Sequence, residues 1–129
     1  MNTNASARIG KQARPARGKL LDAAADVARR FRSFDEYGSI PRATRALKRR
    51  QPGFPAQAYP AAVERAIALC DAAVKLVGES VPAVLPAGGT LREEDLRPLA
   101  VELRGRAPGF PAATYRWMVG WVYYWSHLR

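Results

Sequence analysis

The chain has 129 residues with 48% hydrophobic and 25% charged positions, enough for one buried core without disulfides or metal to support it. Its single cysteine, Cys70, excludes an intramolecular disulfide, and one cysteine with one histidine, His127, is too few for a site built from Cys and His ligands. Twenty-one Lys and Arg against eleven acids leave a formal charge of +10, a field that speeds encounter with nucleic acid, an acidic protein surface or an anionic membrane without choosing among them.

That excess is local. Every charge from Met1 to Lys19 is positive (Arg8, Lys11, Arg14, Arg17 and Lys19), and so is every charge strictly between Glu36 and Glu64 (Arg42, Arg45, Lys48, Arg49 and Arg50). The remainder of the chain sums to zero.

Residues 1–18 carry too little apolar surface to offset the entropy of ordering and predict a flexible basic tail. No apolar stretch of signal-peptide type occurs there, so a cytoplasmic location is expected. A single helical domain is predicted over 19–129. Its first helix is marked by Leu20, Ala24, Val27, Ala28 and Phe31 at three-to-four spacing, and it should end near Phe34. Gly38 then signals a turn, and Ser39 is placed to cap a helix over Ile40–Arg50 with Pro41 in its first turn. On that helix Arg42, Arg45 and Arg49 share one face, and Ile40, Ala43 and Leu47 the other.

The segment Leu47–Tyr59 matches Leu103–Tyr115 at eight of thirteen positions, including Pro52-Gly53-Phe54-Pro55-Ala56 and Pro108-Gly109-Phe110-Pro111-Ala112. The pattern reads as stop, turn and restart. Proline disfavours helix at the residue before it, glycine permits a left-handed exit, and the second proline suits a first helical turn. Phe54 and Phe110 are placed to plug the angle between helices, with Tyr59 and Tyr115 one turn further on. Two repeat units follow, about 40–78 and 90–129, joined by a linker over 79–89 that is rich in Pro and Gly.

The helix after the first corner should bury Tyr59, Val63, Ala66, Cys70, Ala73 and Val77, with Pro60 delaying or kinking its start. Thr90 and Glu93 have the spacing of a capping box, opening a helix that ends near Arg106. The last helix holds all three Trp: Trp117, Trp121, Tyr124 and Leu128 form one apolar stripe and Met118, Val122 and Trp125 another. Such a helix has to be covered on most sides, either at the centre of the chain's own bundle or at an oligomer or partner interface, where Trp and Tyr are enriched. Its apolar stretch falls well short of a membrane span.

The fold class expected is therefore all-α, a small bundle of about five helices. No phosphate loop, nucleophile elbow or metalloprotease helix is present, and Glu93, Glu94 and Asp95 are accounted for as first-turn acids. The predicted function is a non-catalytic accessory or adaptor subunit, with no cofactor or metal, that contacts nucleic acid or an acidic protein surface. Arg8, Lys11, Arg14, Arg17, Lys19, Arg42, Arg45, Lys48, Arg49 and Arg50 would make that contact, because a guanidinium presents donors in a planar fork matched to phosphate oxygens. The competing reading of the same residues is a solvated face. A self-assembling scaffold is the alternative, with Trp117, Trp121, Tyr124 and Trp125 joining protomers or holding a protein partner. An enzyme would need a cleft that gathers Tyr59 or Tyr115 with Glu93 or Glu102.

Overall fold

The structure, a computed structural model, describes residues 17–31, 37–84 and 93–127. These residues form five α-helices and contain no strand: α1 over 17–31, α2 over Ile40–Arg50, α3 over Ala58–Val84, α4 over Glu93–Arg106 and α5 over Ala112–His127. No helix among them is long and apolar enough to cross a membrane. The chain divides into two compact units, Met1–Val63 and Glu64–Arg129.

In the first unit α1 buries Leu20, Leu21, Ala24, Ala25, Val27 and Ala28; the expected stripe gains Leu21 and Ala25, and Phe31 at its end is half-buried. Arg17 lies exposed in this helix and not in the tail to which composition assigns it, and Lys19, within the expected helical domain, is exposed beside it. Both are good helix formers, and the conformational cost of Gly18 is modest so close to a helix end. Ser39 caps α2, its Oγ accepting from the Arg42 N–H at 3.3 Å. Ala43, Ala46 and Leu47 supply its buried face, whereas Ile40 stays 40% exposed.

Asp26 of α1 holds three guanidiniums: Arg29 at 2.7 Å, Arg50 of α2 at 2.9 Å and Arg30 at 3.2 Å. Burial works to raise the pKa of this carboxyl, but Arg29, Arg50 and Arg30 together outweigh it and hold the group below its ordinary value. A depressed native pKa contributes stability that is fully present above the unfolded value near pH 4 and is lost as pH falls through the native one. Asp26→Asn is expected to cost about 1–2 kcal/mol at neutral pH, between an exposed and a buried ion pair. It should also flatten the acid limb of stability against pH, measured by urea unfolding at successive pH values. Parallel acid limbs for the two proteins would show that the cluster contributes nothing.

The first corner follows α2. Gln51 N–H donates to Leu47 C=O at 2.9 Å, and Gly53 takes φ +106°. The hydroxyl of Tyr59, the second residue of α3, donates to Gln51 C=O at 2.7 Å and accepts from Phe54 N–H at 3.1 Å. Its ring meets Phe54 edge to face at 6.2 Å. Pro60 falls in the first turn of α3, where an absent N–H leaves nothing unpaired.

In the second unit the geometry at the corresponding positions is the same. Ala107 N–H donates to Leu103 C=O at 2.9 Å, and Gly109 has φ +107°. The Tyr115 hydroxyl donates to Ala107 C=O at 2.7 Å and accepts from Phe110 N–H at 3.0 Å, with the rings edge to face at 6.1 Å. Here too the arginine two positions before the first corner proline pairs with an acid on a preceding helix: Arg106 meets Glu79 at 3.1 Å, as well as Glu102 at 3.4 Å. This corner carries one support more. Arg65 donates to Pro108 C=O at 3.0 Å, and its guanidinium lies 5.6 Å from the centre of the Phe110 ring.

α3 runs past the expected stop at Gly78 to Val84, so much of the predicted linker is helical. Gly78 does not take a positive φ, and a glycine that stays right-handed does not terminate a helix. Thr90 and the rest of 85–92 lie outside the described residues. α4 includes Pro98 in its exposed face, where the hydrogen bond that proline cannot make faces water.

Candidate functional site

The charge of α2 is arranged by its helical turn. At 100° per residue, Arg42, Arg45, Lys48 and Arg49 fall within an arc of about 120° that faces away from Ala43, Ala46 and Leu47. All four are exposed. Among the described residues no carboxylate comes within 4 Å of any of them. Lys48 and Arg49 also sit in the last turn, where the helix dipole favours cations and steadies an otherwise uncompensated cluster. The Arg42 guanidinium lies back against Gly38, whose φ of +71° forms the turn into the helix.

Arg50 leaves the set. It lies about 80° round the helix from Arg42, on the side of the buried face, and is held by Asp26. It ties α2 to α1. Arg17 and Lys19 are exposed on α1, while Arg8, Lys11 and Arg14 lie outside the described residues. The structure thus brings four of the ten sequence-predicted cations onto one rigid helix face. It also shows an organising residue that sequence reasoning missed, Asp26, which the sequence sets no further apart than Asp22, the other acid off the apolar stripe of α1.

α5 differs from expectation in its burial. Thr114, Tyr115, Met118, Val119, Val122 and Tyr123 are buried, but Trp117, Trp121 and Trp125 are half-buried and Tyr124 is 55% exposed. Apolar composition all round the helix does not translate into cover all round it. Trp121 and Trp125 stack on each other at 5.9 Å and 19°, so each shields part of its neighbour's ring from water. Leu128 lies outside the described residues.

Among the described residues no group of three or more His, Cys, Asp or Glu side chains could hold a metal ion. The hydroxyls of Tyr59 and Tyr115 are engaged in the corners, and Glu102 pairs with Arg106. Compared with protein-family models, curated proteins and solved structures, the chain matches none.

Proposed function

We propose that the chain is a non-catalytic basic accessory or adaptor subunit that contacts a nucleic-acid-bearing assembly in the cytoplasm through the cationic arc of α2. The observation that carries this reading is the contrast between two kinds of arginine. Arg29, Arg30, Arg50 and Arg106 have acids at 2.7 to 3.4 Å, whereas Arg42, Arg45 and Arg49 have none among the described residues. Guanidiniums with no acid of their own can offer their planar forks of donors to phosphates without first breaking an ion pair. We read the two corner-bearing units as copies of one ancestral segment, with the cationic arc developed in one of them: at the positions matching Arg42, Arg45 and Lys48 the second copy has Pro98, Val101 and Arg104.

Four phosphate contacts predict that log K falls with log salt at a slope of about −3 to −4 on duplex DNA. The triple variant Arg42→Gln/Arg45→Gln/Arg49→Gln should remove up to about three-quarters of that slope. Fluorescence anisotropy on random-sequence duplex DNA and single-stranded RNA, over a salt series, measures both. Absence of binding even at low salt ends this reading.

A scaffold that self-assembles through α5 is the second reading, favoured by exposed Tyr124 beside the Trp121–Trp125 stack. Sedimentation showing a monomer at tens of micromolar would eliminate it.

A further inference from the structure

Where α4 packs on α5 within the second unit, the two helices leave an open groove of about 240 Å³. Ala100 and Val101 of α4 and Ala112 and Tyr115 of α5 line its apolar part. Arg97, Arg104 and Arg116 stand around it. Along α4 the order is arginine, apolar pair, arginine at i, i+3/i+4 and i+7, a stripe about 10 Å long. Val101 is 66% exposed, more than Ile40, Val74 or Tyr124. Arg97 and Arg104 have no acid within 4 Å among the described residues, whereas Arg106, two positions from Arg104, has two. Arg116 is already engaged within the chain, which leaves Arg97 and Arg104 to meet a ligand.

Such a groove calls for a ligand that is apolar at its middle and anionic at its ends. A nucleic-acid backbone brings the anions but no apolar group to cover Val101, and Tyr115, 1% exposed, offers no ring face for a base. A membrane surface would need a wide apolar face, and one valine does not make one. The volume lies below the roughly 300–1,000 Å³ of pockets that enclose small ligands, so it suits a single side chain inserted from a larger partner. We propose that this groove docks an acidic amphipathic helix of a partner protein, with one aliphatic side chain seated over Val101 and Ala112 and carboxylates on Arg97 and Arg104. This site is separate from the arc of α2 and does not depend on the reading of that arc.

The test titrates the full chain into a fluorescein-labelled synthetic helix of about four turns that carries Leu at i and i+4 among Glu residues. Controls are the same peptide with Ser for Leu, a single-stranded DNA oligonucleotide as competitor, and anionic phosphatidylserine vesicles. Saturable binding is expected, weakened about tenfold or more by Arg97→Glu/Arg104→Glu and by the Leu-to-Ser change, and unaltered by the α2 triple variant. Equal affinity for the Ser peptide, displacement by the oligonucleotide at equimolar amounts, or preference for vesicles would overturn the proposal. The substituted positions are exposed, and thermal melting verifies that the charge reversal folds. Should it not, the amide shift of Val101 in the unaltered protein on adding peptide decides the matter, and no shift there refutes the groove.

Discussion

Tyr115→Phe is expected to lower the free energy of unfolding by about 2–4 kcal/mol, because one hydroxyl satisfies two backbone groups that have no other partner in the second corner. Removing it leaves Ala107 C=O and Phe110 N–H unpaired next to a buried phenylalanine, and each costs its desolvation. The ring itself remains, so apolar packing is nearly unchanged. Urea titration should show a lower midpoint at constant slope, and thermal melting a drop on the order of 10 °C. Tyr59→Phe makes the same two cuts at the first corner, where Phe54 is only half-buried and water can reach the freed groups. Its cost should be nearer 1–2 kcal/mol. A loss below about 0.5 kcal/mol for Tyr115→Phe would mean that the hydroxyl is not what holds the corner.

Much of this architecture is legible in the chain because it depends on near neighbours. Ser39 three positions before Arg42, Pro41 in a first turn, and the stripe from Tyr59 to Val77 are local patterns, and the helices form where those patterns put them. The corners are legible because glycine, proline and tyrosine recur at fixed offsets. What escapes is whatever depends on residues far apart in sequence. Nothing near Arg50 says that Asp26 will claim it, and nothing near Arg106 says the same of Glu79. Gly78 misleads for a different reason, since glycine permits a left-handed exit without requiring one. The half-exposed tryptophans escape because composition reports how apolar a helix is and not how many neighbours it has. The groove between α4 and α5 escapes for the same reason, because one helix supplies Ala100 and Val101 and another supplies Ala112.

Gly109→Ala should cost about 2–4 kcal/mol, the sum of two effects that the corners separate. A φ of +107° lies outside the left-handed region that other residues occasionally visit, and alone costs on the order of 1–3 kcal/mol. A methyl group at Gly109 would also occupy the place of the Arg65 guanidinium, forcing it off Pro108 C=O and the Phe110 ring. At Gly53, with φ +106°, a methyl group meets no atom within 4 Å, so Gly53→Ala should show the backbone strain alone. A double-mutant cycle makes the comparison quantitative. In an Arg65→Ala background the cost of Gly109→Ala should fall to that of Gly53→Ala. If it does not, the difference between the corners has another origin.

Cys70 turns its isolation to use. It is the single thiol in 129 residues and sits 1% exposed in the middle of α3. An alkylating reagent can reach that sulfur only when the helix around it breathes, so the speed of labelling becomes a clock for internal opening. The protein therefore carries its own probe of native-state fluctuation, and no residue has to be introduced to read it.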